Sequence, residues 1–253
     1  MHKRTPNHID LSYRVADNTL VIDFPRPYRV LSSAPRAGGF AMARSIINHQ
    51  VEANPLARPA AGTRPGLQRM SWSGPARYLR NVASRLSAAE PSVGLMTAVA
   101  LKQLVTASER VGRFSVMCFC TVGVTNAVRA GESASHTGSP KQRDQTGTIN
   151  VILVTNACLS RSAMVGAVQV ATESKTATLL ECRVPSSSGK HMATGTGTDA
   201  VVIASSGHGP KVSYSGTHTI IGSIIGRLVA NCVYEGLQRS SRWQHNLRPS
   251  KAR

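Results

Sequence analysis

One stretch constrains the fold more than any other: residues 160–181, SRSAMVGAVQVATESKTATLLE. It opens on a serine suited to capping a helix, contains no proline, and is small or apolar nearly all round. A helix of that kind has no polar face to leave in water, so other elements must bury it. Its interior carries two charges, Glu173 and Lys175, and residues two apart on a helix point to different sides, so neither neutralises the other. Glu173 shares its face with Gly166, Val170 and Ala177, which directs its carboxylate toward a packed or cleft-lining surface.

The burying partners are legible on either side. Residues 114–124 (FSVMCFCTVGV) and 148–154 (TINVILV) are dense in β-branched and apolar side chains, as is 200–204, and all three read as buried strands. Residues 18–24 and 28–32 read as two short strands around a Pro25-Arg26-Pro27 turn. Helices are expected over 40–51, over 75–86 with proline in the first turn, and within 94–110. A last helix over 217–237 carries the stripe Ile221, Ile224, Ile225, Leu228 and Cys232, with Gly222 and Gly226 leaving a smooth strip for a close neighbour. The fold class is therefore α/β, a single domain with a mixed central sheet flanked by helices. The folded region spans 19–237, between a loose polar segment at 1–18 and a basic tail at 238–253. Residues 52–75 and 126–147 read as long loops.

A formal charge of +18 raises nucleic acid as a partner, but the arginines are scattered and aromatic residues make up only 4%, too few for stacking. With only 12 acidic residues, the imbalance reflects missing acids as much as added bases. A solvated basic surface is expected and no specific nucleic-acid partner. The five cysteines form no CxxC pair and mostly sit in apolar runs, which points to buried thiols and a cytoplasmic setting. The start has no apolar core of a secretory signal, and the apolar run 220–233 is short and holds Arg227, so no membrane insertion is expected.

The stretch ATGTGTDAVVIA at 193–204 tests a nucleotide loop and fails it. Such loops place glycines after a strand and before a helix, whereas Gly195 and Gly197 precede a strand, with no GK[ST] and no GxGxxG. Two readings stay open: the glycines merely supply unusual backbone angles, or the turn delivers Asp199 to a site. Other polar residues also stand at element ends: Asn48 and His49, Asn126, Asn150, and Thr217 with His218. A histidine at a helix N-terminus is held neutral by the dipole, so His218 reads either as a proton acceptor or as simple capping support. No HxxxH, HxH or Cys–His spacing indicates a metal site, and no GxSxG indicates a serine hydrolase.

The runs GTINVILVTNACLSRSAMVGAVQVATESKTATLLE, ATGTGTDAVVIAS and YSGTHTIIGSIIGRLV together resemble the adenosylcobinamide amidohydrolase family. Leu31-Ser32-Ser33-Ala34, Ile47-Asn48-His49-Gln50-Val51 and Thr121-Val122-Gly123-Val124-Thr125-Asn126 agree with it in the same order. The resemblance implies corrinoid salvage: hydrolysis of the aminopropanol amide of adenosylcobinamide to adenosylcobyric acid and 1-aminopropan-2-ol, with the corrinoid as substrate and no cofactor. Amide hydrolysis needs an activated nucleophile, a proton for the leaving amine and donors for the oxyanion. On that chemistry Asp199 or Glu173 activates water with His218 as acid–base partner, and Lys175, Thr196 and Thr198 stabilise the oxyanion. Asn48, Asn126, Asn150 and Thr217 are the expected substrate contacts, an amide offering both a donor and an acceptor. A corrinoid carrier without hydrolysis is the alternative, and a basic nucleic-acid module a third.

Overall fold

A computed structural model describes residues 3–4, 9–51, 74–133 and 147–240. The elements in order are β1 (Lys3–Arg4), β2 (Ser12–Ala16), β3 (Thr19–Ser32), β4 (Gly39–Gln50), α1 (Pro75–Arg85), β5 (Ser92–Thr97), β6 (Val105–Val111) and β7 (Phe114–Val122). They continue with β8 (Ala127–Val128), β9 (Ile149–Thr155), β10 (Cys158–Leu159), α2 (Arg161–Glu181), β11 (Gly195–Thr196), β12 (Ala200–Ser205), β13 (Lys211–Val212) and α3 (Ile220–Arg239). The long elements form one mixed sheet, and β10–β13 and β8–β11 make two small ladders.

β3 is the spine of that sheet. One edge pairs with β4 along nearly its whole length, while the other pairs first with β2 and then with β12. The switch falls where the β3–β4 register shifts between Asp23 and Tyr28. Pro25, Arg26 and Pro27 are exposed there. A proline cannot donate to a ladder and is tolerated at a bulge, so the segment bends β3 without ending it. From β12 the sheet continues through β9, parallel to it, and then through antiparallel β7 and β6. The parallel pair needs a crossover, which α2 supplies.

The bend lays the two halves of the sheet face to face, and three apolar layers result. Leu20, Ile22, Ile46, Val93 and Leu95 of one half meet Met117, Phe119, Ile152 and Val202 of the other. The Tyr13 and Phe119 rings join edge-on across this gap, 5.0 Å apart. Val21 and Ile47 face outward onto Leu79, Val82 and Ala83 of α1. On the opposite outer face Cys118, Cys120, Val151 and Leu153 meet α2 and α3. Truncating any of the large fully buried side chains to alanine removes about 2–5 kcal/mol.

The expected α/β class, mixed sheet and flanking helices match this architecture, and the helices over 75–86, 160–181 and 217–237 are α1, α2 and α3. Four local expectations are corrected. Residues 40–51 form β4, whose Ile46 and Ile47 serve different apolar layers, so no alternation betrays the strand. Within 94–110 lie β5, a single 3₁₀ turn at Leu101–Gln103 and β6. Residues 12–16, expected to be loose, are β2, and the Pro25–Pro27 turn is the bulge inside one strand. The loop over 52–75 and the basic tail lie largely outside the described residues, as does the second half of the loop over 126–147. Among the described helices only α3 is long and apolar enough to cross a bilayer, and its Ile221, Ile224, Ile225 and Leu228 are buried in the core.

Candidate active site

β9 and β12 begin side by side, with Ala200 opposite Asn150, and the turn before β12 sets Asp199 at this end of the sheet. Its carboxylate accepts four hydrogen bonds. Oδ1 takes the Thr196 hydroxyl at 2.5 Å and the Ile149 N–H at 2.9 Å. Oδ2 takes the Thr196 N–H at 3.0 Å and the Nζ of Lys175 from α2. One side chain thus ties together the turn, the start of β9 and α2. The pair is largely withdrawn from water, with side chains 8% and 13% exposed. A buried ion pair is tolerable only when its remaining valences are met, which these contacts do for Asp199.

Gly195 is required here for space. A Cβ on it would stand 2.5 Å from Asp199 Oδ2 and 2.8 Å from Lys175 Nζ, whereas one on Gly197 would meet nothing within 4 Å. Cys120 borders the pair from β7. Burial pushes its thiol well up, with neighbouring Cys232 and Asp199 acting the same way and Lys175 against them, so it presents a neutral wall.

On the inter-sheet face of the same end lies a polar layer. Asn150 Nδ2 donates to Asn48 Oδ1 at 3.0 Å and to the Met96 carbonyl at 2.8 Å. Asn48 Nδ2 donates to Thr121 Oγ1 at 3.3 Å. Both amides are 1% exposed, so the structure brings the two asparagines together but spends them on each other and the backbone. That corrects the expectation that they grip a substrate directly: they tie the two halves of the sheet together at this end. Thr148 links this layer to the turn, its hydroxyl donating to the Thr198 carbonyl at 2.9 Å, while the Thr198 hydroxyl donates to the Gly147 carbonyl at 3.1 Å. Beside Gly147 two buried side-chain oxygens, Thr125 Oγ1 and Asn126 Oδ1, have no hydrogen-bond partner among the described residues.

The structure does not bring Glu173, His218 and Thr217 to this site. Glu173 is exposed on α2 while Lys175 is buried, so the expected cleft-lining position is corrected. The two residues point to different sides, as their spacing dictates. Thr217 and His218 are also exposed and line a shallow depression with Val111, Thr219, Ser223 and Arg227. They stand at the α3 N-terminus, where Gly222 packs on the Ser215 and Gly216 carbonyls and Ser215 meets Gly166 of α2. Gly166 precedes Lys175 by nine positions along α2, about 13 Å of helix axis. The C-terminal part of α3 returns to the site end, where Gly236 abuts Val122. The helix cap itself is Thr219, which accepts from the Gly222 N–H at 3.0 Å. Sequence reasoning missed the hydroxyl partners Thr121, Thr148 and Thr97, the last accepting from the Thr121 hydroxyl at 3.4 Å, and the Ile149 amide; the signal was a threonine inside or just before each apolar strand.

Among the described residues no cluster of three His, Cys, Asp or Glu side chains is placed to hold a metal ion. The fold and site define an α/β protein with a lysine–aspartate pair at the sheet end where two parallel strands begin. The family model described as adenosylcobinamide amidohydrolase matches residues 2–245, and the chain belongs to that family of amide-cleaving hydrolases. It is 30% identical to the adenosylcobinamide amidohydrolase of Methanosarcina mazei over 90% of this chain and 98% of that one. It is 29% identical to an uncharacterized protein of Methanocaldococcus jannaschii over 92% and 91%. Among solved structures it is similar to a beta-aminopeptidase of Burkholderia sp., at 14% identity and a TM-score of 0.44, covering 92% of this chain and 81% of that one.

Proposed function

We propose that this protein hydrolyses the amide joining the aminopropanol arm to the corrin ring of adenosylcobinamide, releasing adenosylcobyric acid and 1-aminopropan-2-ol. The observation that carries the reading is the family match, which runs through residues 2–245 and so includes both Lys175 and Asp199. In this mechanism Asp199 is the proton acceptor, because its carboxylate already receives a hydroxyl at this end of the sheet. Lys175 fixes the carboxylate's orientation and supplies positive charge as the amide oxygen becomes an oxyanion. Thr198 is exposed on the same turn, and its hydroxyl would donate to the same oxygen only by giving up its bond to the Gly147 carbonyl. Five free cysteines fit a cytoplasmic setting.

The test is direct. The purified protein, incubated with adenosylcobinamide, should yield adenosylcobyric acid and 1-aminopropan-2-ol. Tight corrinoid binding with no product would overturn the enzyme reading in favour of a carrier.

A further inference from the structure

We infer that Thr196 is a covalent nucleophile of this site, so that the reaction passes through an ester on its hydroxyl instead of direct attack by water. The inference rests on the amidase reading above. Among the described residues Thr196 supplies the only hydroxyl that donates to the Asp199 carboxylate, at 2.5 Å, and its own N–H holds the other oxygen at 3.0 Å. The residue is therefore held once through its side chain and once through its backbone, and a β-branched side chain has little χ1 freedom left once so held. A hydroxyl on a fixed carboxylate, with that carboxylate fixed in turn by a third group, is the arrangement that activates a weak nucleophile. Lys175 is that third group, bound to the opposite oxygen from the one the hydroxyl uses. Thr196 keeps 9% of its surface exposed. On its C-terminal side Gly197 has nothing within 4 Å of where a Cβ would stand, so no side chain there blocks a bulky acyl group.

The steps balance without any further reactant. Thr196 Oγ1 bonds to the amide carbon as its proton passes to Asp199 Oδ1. Collapse of the tetrahedral adduct breaks the C–N bond, and the amine of 1-aminopropan-2-ol leaves with that proton. Water then attacks the ester carbon and gives its proton to Asp199, which returns it to Thr196 Oγ1 as the carboxylic acid departs.

The experiment uses the full chain and adenosylcobinamide. Acid quench during turnover, followed by digestion and mass spectrometry, should show the cobyric acyl increment on the peptide bearing Thr196. Thr196→Val should lose at least a thousandfold in kcat and show no adduct, and Thr196→Ser should keep both adduct and turnover. Wild-type turnover with no adduct and unaltered product ratios in hydroxylamine overturns the inference, as does Thr196→Val retaining activity within tenfold. The adduct is read on wild-type protein, so a poorly folded variant does not decide the matter. Absence of product from the wild type removes the amidase reading itself.

Discussion

Lys175 of α2 and Asp199 before β12, 24 residues apart, form an ion pair whose space is kept open by the missing side chain of Gly195. Helix and strand are thereby pinned at one end of the crossover, and that end is where the polar groups of the fold collect.

The space requirement separates two glycines that look alike in the sequence. Gly195→Ala should lower kcat/KM at least a hundredfold, because its Cβ would displace both partners of the pair, and small misplacements of reacting groups cost about that much. Gly197→Ala, with nothing within 4 Å of its Cβ, should keep activity within about threefold. Equal effects of the two substitutions would show that the pair is not where the chemistry is held.

The pair should also matter to stability. Lys175→Met leaves a carboxylate nearly buried without its cation, which costs about 3 kcal/mol. The Glu235–Arg239 pair one turn apart on α3 is half exposed, so Glu235→Ala should cost less than about 1 kcal/mol. Urea unfolding with unchanged m-values compares them. A Lys175→Met cost no larger than that of Glu235→Ala would mean that water screens the buried pair after all.

Placement makes a different prediction for the remaining acid–base candidates. Glu173 and His218 are exposed, the first on the far side of α2 from the pair and the second at the opposite end of α3 from Val122. Glu173→Ala and His218→Ala should each keep kcat/KM within about threefold. A loss of a hundredfold in either would put that side chain in the reaction.

What the sequence conveyed and what it hid divide along physical lines. α2 and the buried strands 114–124 and 148–154 were legible because composition alone demands burial there. β4 and β5 were not, since both lie between two apolar layers and lose the alternation that marks a half-buried strand. Of the site, the Lys175–Asp199 meeting was only half visible. Glu173 and Lys175 were equally prominent as charges, and which of them faces the sheet depends on the rotation of α2 about its axis. The asparagine pair was invisible as a pair because Asn48 and Asn150 are 102 positions apart and meet only through the bend in β3.

His49 gives a pH signature on the opposite face of β4. Its ring lies between the Thr19 hydroxyl at 2.7 Å and the Tyr78 hydroxyl at 2.8 Å, under α1. Burial, helped by the Arg85 charge, lowers its pKa from 6.5. The unfolded chain then binds a proton at a higher pH than the folded one, so stability from this group is fully present above pH 6.5 and falls as the pH drops through the folded value. Comparing unfolding free energies at pH 7.5 and 5.5, wild type should lose more than His49→Gln over the same interval. Identical losses would locate the pH dependence elsewhere.

The Asn48–Asn150 contact is best tested as a coupled pair. Asn150→Ala removes the donor to Asn48 Oδ1 and to the Met96 carbonyl, stranding two acceptors in a layer only 1% exposed at either asparagine. That should cost about 1–3 kcal/mol for the unmet groups alone. Asn48→Ala leaves Asn150 still bonded to Met96 and should cost less. Once either amide is gone the other has lost its partner, so the double substitution should cost less than the two singles summed, by about 0.5–3 kcal/mol. Additive costs would mean that the two halves of the sheet are held here by the apolar layer beneath, and that the amides are bystanders to the closure of the sheet.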